Sequence, residues 1–234
     1  MVSSIYKKTF SVLMKRPFRL WGISLLAEFL CLVAYAGFIG VPAAAFCAAL
    51  LLSASMSMIF LNSYRTGLEP KTSYLFASFK KDRILRVLGG MAWMQLWIFL
   101  WSLIPIVGIV FGIIRMYEYR FVPYILMTRD DVKPTDAIKI SKQETMGYKG
   151  KMFGADILLG AVYLGVFLVF TLLGEIPYLG VLFRILWVLI AIAYGLLAPL
   201  FSGIMHAAFY VEIQNRRAAG SWHPAAPALS LIHI

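Results

Sequence analysis

Charge is scarce along this 234-residue chain. Only 14% of it is Asp, Glu, Lys or Arg, against 61% hydrophobic residues. Acids are the scarcer sign, 11 against 22 Lys and Arg. A water-soluble domain of this length could not hide so much apolar surface in one core. Cysteine and histidine are few as well, two and three. Cys31 and Cys47 lie inside long apolar runs with no CxxC or His/Cys cluster nearby, which argues against a disulfide framework and a zinc site. They read as small packing residues. No HExxH, GxSxG, P-loop or dinucleotide fingerprint occurs, and Asp130-Asp131 reads as a loop turn rather than a catalytic pair. The expectation is a protein that is not an enzyme and holds no metal or cofactor.

What the chain does have is apolar runs of spanning length, about 20 residues at roughly 1.5 Å each. Nineteen of the 22 Lys and Arg gather in four stretches between those runs: Met1–Arg19, Asn62–Arg86, Arg129–Lys151 and Asn215–Arg217. The alternate connections, around Gly40, Ile104–Gly108 and Gly174–Gly180, carry none outside the predicted spans. Cations on one side only are the positive-inside pattern of a multi-span membrane protein. The net charge of +11 raises nucleic acid as a partner. That partner is rejected, because the cations flank apolar spans and no basic recognition helix, zinc spacing or aromatic RNA platform accompanies them. They set topology and meet anionic headgroups of membrane lipids.

The predicted fold class is all-α: a polytopic membrane helix bundle of about six transmembrane helices in three hairpins, with short cytoplasmic amphipathic helices and both termini cytoplasmic. The spans are about Leu20–Ile39, Val41–Leu61, Val87–Leu103, Ile106–Met127, Phe153–Leu173 and Tyr178–Ile213. The sixth exceeds one crossing, so tilt or an extension takes up the rest, and Pro199 is expected to kink it. The first run is long, lacks an A-x-A exit and is followed at once by another, so it reads as a retained span. Residues 1–214 form one integral membrane domain, and 215–234 are expected to be a disordered tail. The ending Leu229–Ile234 resembles a translated sequencing-adapter read-through, which makes the last residues candidates for a non-native terminus.

Basic feet recur at offsets of about 65 residues: Lys15–Leu20, Lys80–Leu85 and Tyr148–Phe153 each precede an outward span. Pro/Gly tips recur too, at Ile104–Gly108 and Ile176–Gly180, with Gly40-Val41-Pro42 as a weaker copy. Internal duplication and the common needs of any membrane hairpin both account for this. Two interfacial helices are expected, Lys71–Ile84 and Thr135–Gly147, the second with Thr135 as N-cap and Asp136 in its first turn.

Ionisable groups inside spans mark the candidate site, because an Arg or Asp at mid-helix costs about 2.5–3.5 kcal/mol even on lenient scales. The fourth span holds Arg115, Glu118 and Arg120. Arg115 and Glu118 are three apart and can pair. Arg120 faces elsewhere, with Glu28 and Asp156 as candidate partners. Arg184 is within reach of Glu175, and His206 lies near the inner end of the last span. Arg115, Glu118, Arg120 and Glu28 are the candidate substrate-binding residues, for an anionic or zwitterionic amphiphile; a purely structural ion-pair cluster is the competing reading. Small residues form two ridges, Ala45-Ala49-Ser53-Ser57 and Gly108-Gly112, suited to bundle packing or to a homo-oligomer.

From Tyr117 to Glu212 the chain resembles a bacterial integral-membrane family catalogued as domain of unknown function 975. The carrying residues are Tyr119–Leu126, Thr135–Ile138 with Ser141, Met146–Lys149, Ile176–Tyr178 and Ala207–Tyr210. Asp136 stands where the family commonly has Glu. That family is distantly similar to the membrane region of some glycerophosphodiester phosphodiesterases, but this chain has no phosphodiesterase domain. The resemblance implies the bacterial cytoplasmic membrane and no catalytic residues. The expected function is binding or transport of a lipid-like or small amphiphilic substrate. The alternative is a non-catalytic scaffold or accessory subunit that recruits a membrane protein partner through its cytoplasmic helices.

Overall fold

The computed structural model describes residues 1–15, 17–37, 42–67, 71–104 and 107–219. Arg16 of the first basic foot, the Gly40-Val41 part of the first tip, Pro105-Ile106 of the second and residues 220–234 of the tail lie outside the described residues. Those described are helical and contain no strand. The helices are α1 (Val2–Lys15), α2 (Pro17–Gly37), α3 (Pro42–Thr66), α4 (Ile84–Ser102), α5 (Val107–Glu118), α6 (Val122–Thr128), α7 (Pro134–Thr145), α8 (Lys149–Leu173) and α9 (Gly180–Ala218), with a 3₁₀ segment over Thr72–Phe79. Five are long and apolar enough to cross a membrane: α2, α3, α4, α8 and α9.

Three hairpins, α2–α3, α4–α5 and α8–α9, share one well-packed end. The C-terminal halves of α3 and α9 meet there with α6, the 3₁₀ segment and the first turns of α4 and α8. Ile59, Leu61, Leu75, Phe121, Met152, Ile204, Phe209 and Ile213 are wholly buried in it. Where the alternative to burial is water, each such side chain contributes about 1.5–3 kcal/mol. Toward the opposite end Leu164, Leu168 and Leu172 of α8 and Val181, Ile185 and Leu189 of α9 are exposed. In hydrocarbon that exposure costs nothing, since lipid tails are as apolar as leucine.

Helix α9 uses its length in this end core. At roughly 1.5 Å per residue its 39 residues reach about twice the length of one crossing. Part of the excess packs into this end core: 204–210 form an unbroken buried stretch. The helix runs through Pro199 and on to Ala218, so the first residues of the expected tail are helical.

The predicted fourth span, Ile106–Met127, differs most from its reading as one continuous helix. α5 ends at Glu118, a turn follows, and α6 restarts at Val122 with Pro123 in its first turn. Proline has no N–H, and its ring collides with the carbonyl four residues back, at Tyr119. The loose ends are taken up by α7. Ser141 Oγ donates to the Glu118 carbonyl at 2.7 Å and accepts from the Phe121 N–H at 3.2 Å; Thr145 Oγ1 lies 3.3 Å from the same carbonyl. Helix α5 still runs back along α4. Its Phe111 ring meets Trp101, and a Cβ on Gly112 would stand 3.0 Å from Ser102 Oγ. The Gly108-Gly112 ridge therefore closes a hairpin within the chain.

Two other elements depart from expectation. Thr135 is not the N-cap of α7: Lys133 occupies that position, without a side-chain hydrogen bond, and Pro134 takes the first turn, where a missing N–H is harmless. Helix α1 lies in the stretch Met1–Arg19, where the sequence predicts only a cluster of cations and no helix. Its Ile5, Thr9 and Leu13 recur every four residues and face the core, while the Tyr6 hydroxyl donates to the Ala155 carbonyl at 2.5 Å. Charge pairs tie the basic loops across this end. Asp130 receives Arg83 and Arg86, each at 2.6 Å, and buried Glu144 receives Arg129 at 2.6 Å. Burial alone would lower the Arg129 pKa, but the Glu144 carboxylate outweighs it and holds the guanidinium above its ordinary value.

Candidate functional site

The four candidate residues fall into three places. Glu118 closes α5 and is 5% exposed at its side chain. One oxygen receives Arg115; the other receives Lys149 Nζ, at the start of α8, at 2.5 Å. The Arg115 guanidinium also lies 4.8 Å over the Trp101 ring. Both carboxylate oxygens are thus occupied, and this group reads as a lock between α5 and α8 rather than as a ligand site.

Arg120 sits beyond the break and turns to the other side. Its Nη2 is 3.1 Å from His206 Nδ1 and 3.2 Å from Nε2. A nitrogen equidistant from both ring nitrogens stands over the imidazole face, not in line with a lone pair. His206 is buried. Its Nε2 lies 3.1 Å from Asp156 Oδ2, and Ser202 Oγ lies 3.3 Å from its Nδ1. The arrangement fits a neutral ring that donates from Nε2 and accepts at Nδ1. The Tyr117 hydroxyl donates to the same Asp156 oxygen at 2.7 Å. That oxygen is crowded, and Arg120 is its most distant neighbour at 4.0 Å. The guanidinium, a third exposed, has coordination to spare.

It lines a cleft of about 510 Å³ between α3, α4, α5, α6 and α9. Gln95, Ser53, Ser57 and Ser202 add polar atoms, while Met91, Met94, Ile98 and Met116 add flexible apolar wall. The expected ridge of α3 serves this cleft: Ala45 is buried, but Ser53 and Ser57 line open space.

Glu28 joins neither group. It lines a neighbouring cleft of about 380 Å³ between α2, α3 and α9, together with Cys31. Both cysteines are free thiols. Arg184 reaches Glu175, at 3.7 Å near the far turn. Among the described residues no cluster of three His, Cys, Asp or Glu could hold a metal.

No family model, curated protein or solved structure matches this chain.

Tyr117, Gln95 and Ser202 escaped the sequence reading, and His206 was noted only by depth. One signal was available: Ser202 and His206 are four apart, as neighbours on a helix face must be.

Proposed function

We propose that the chain is a non-catalytic, six-crossing protein of a bacterial cytoplasmic membrane that binds, and by extension moves, an amphiphile with an anionic head. Five long apolar helices and the return of α5 along α4 support six crossings. The Lys/Arg-rich end, which carries α1 and the last turns of α9, supports cytoplasmic termini. The resemblance to the family of domain of unknown function 975 agrees with a bacterial setting. The observation that carries the binding reading is Arg120: an under-coordinated guanidinium at the polar end of a cleft walled by methionine and isoleucine. A broken helix beside a charged cleft is also how many transporters place substrate sites. Exposed Tyr74 and Phe76 beside Lys71, Lys80 and Lys81 favour a second reading, a scaffold that recruits a protein partner.

Native mass spectrometry of protein purified in mild detergent separates the two. Phospholipid adducts are expected on the wild type, reduced at least about tenfold by Arg120→Gln, the value of one charged hydrogen bond. The cleft-filling Met94→Trp is expected to remove them while the protein stays monodisperse. Adducts indifferent to both substitutions would overturn the reading, and a stoichiometric protein adduct would favour the scaffold.

A further inference from the structure

The cleft that holds Glu28 has the opposite charge from the one that holds Arg120, and the two adjoin. They share Ser53, Ser57, Phe60 and Pro199 as walls. We infer that the Glu28 cleft receives the primary ammonium of a zwitterionic amphiphile whose anionic group rests on Arg120. This rests on the amphiphile reading above and names the class of its headgroup.

Four observations carry the assignment. First, Glu28 lies mid-way along α2, yet among the described residues it has no ion pair, and no Lys, Arg or His is among the described residues of its cleft. Its charge needs a partner that the cleft itself does not supply. Second, Ser24 Oγ, one turn before Glu28 and in the same cleft, is buried without a hydrogen-bond partner. Third, Gly195 also lines the cleft. Its carbonyl would ordinarily accept from residue 199, but Pro199 has no N–H to give. Fourth, the Ser57 hydroxyl already donates to the Ser53 carbonyl at 3.1 Å, so its lone pairs are what it offers the cleft. One anionic acceptor with several neutral oxygens suits a group with three N–H donors and one positive charge. A quaternary ammonium has no N–H and would leave those oxygens unanswered.

Spacing supports a single bridging headgroup. Pro199 borders both clefts, and His206, which carries Arg120, is seven residues further on, about 10 Å along the axis. A phosphate and an ammonium on a short linker, with a hydrogen-bond contact at each end, match that axial offset between the shared wall and the Arg120 site. At the junction Phe60 lies against Gly203, where an added Cβ would come within 2.3 Å of the ring.

The test titrates detergent-purified protein with phosphatidylethanolamine, phosphatidylglycerol and phosphatidylcholine of one acyl composition and reads retention by native mass spectrometry. Wild type should retain the ethanolamine lipid at least about tenfold over the other two. Glu28→Gln should bring the ethanolamine and glycerol lipids to parity while still holding both, and the milder Ser24→Ala should lower the preference part-way. An ethanolamine preference unchanged in Glu28→Gln overturns the ammonium assignment and leaves the Arg120 reading standing. Equal retention of the choline lipid overturns it too. So does a sodium-dependent melting shift of lipid-stripped protein that Glu28→Gln abolishes, which would make the cleft an inorganic cation site. Retention of none of the three lipids by the wild type overturns the amphiphile reading itself.

Discussion

Glu118 answers two cations at once, so its loss and theirs are not equivalent. With Glu118→Gln, Arg115 and Lys149 remain close together with no carboxylate between them; breaking a buried pair in this way costs about 3–5 kcal/mol. Arg115→Gln or Lys149→Gln leaves Glu118 one partner. Both cations are also partly exposed, at 20% and 30%, so each loss should be under about half as large. Reversible unfolding in mixed micelles should rank Glu118→Gln well below the other two in stability; equal losses would mean that the lock is not shared. How legible this was depends on the distance in sequence between the partners. Arg115 and Glu118 sit three apart on one helix, and helical geometry alone pairs them. Lys149 is 31 residues from Glu118, and nothing in a single sequence fixes which face of α8 it occupies. Glu28 is grouped with these charges in the sequence because all of them but Lys149 fall inside predicted spans. Depth is readable from hydropathy, but position around the bundle is not, and Glu28 proved to border a different cleft.

At the scale of elements, the break between α5 and α6 is held by side chains of a third helix. Ser141→Ala removes the donor to the Glu118 carbonyl and the acceptor for the Phe121 N–H, both buried beside it. Orphaned buried polar groups cost about 1–3 kcal/mol each, and Thr145, at 3.3 Å, offsets part of the carbonyl's loss. Ser141→Ala should therefore cost about 2–3 kcal/mol in the same unfolding assay. It should also raise amide exchange at Phe121 more than at Ile125, whose N–H bonds within the chain to the Phe121 carbonyl at 2.9 Å. Uniform exchange across α6 would show that Ser141 does not hold the break. Pro123 and the polar run Tyr117–Arg120 were visible as a breaking signal, but the apolar residues on either side outweighed them in a hydropathy reading. Helix α1 was missed for a related reason: its lysines dominated, although Ile5, Thr9 and Leu13 already traced a helical stripe.

At the scale of the whole molecule, the number of crossings turns on α5 and α6. Five long helices alone would leave α4 and α8 starting on opposite faces of the membrane. A completed return through α5 and α6 puts both starts on one face, with the Arg83–Asp130 and Arg129–Glu144 pairs beside them. Apolar length could not decide this, because α5 has only 12 residues and crosses only with the help of the turn and α6. Single cysteines in a background lacking Cys31 and Cys47 decide it. Lys81, Lys139 and Glu175 are exposed, so each can be replaced with little structural consequence. An impermeant maleimide should label Glu175→Cys in intact cells and reach Lys81→Cys and Lys139→Cys only after permeabilisation. If Lys139→Cys were labelled from outside while Lys81→Cys was not, α5 and α6 would not complete a crossing. Arg129–Lys151 would then sit on the outer face with its six cations, against the energetic preference that keeps Lys and Arg inside. The Arg120 cleft would open toward the wrong leaflet, and the proposed headgroup site would fall with the topology.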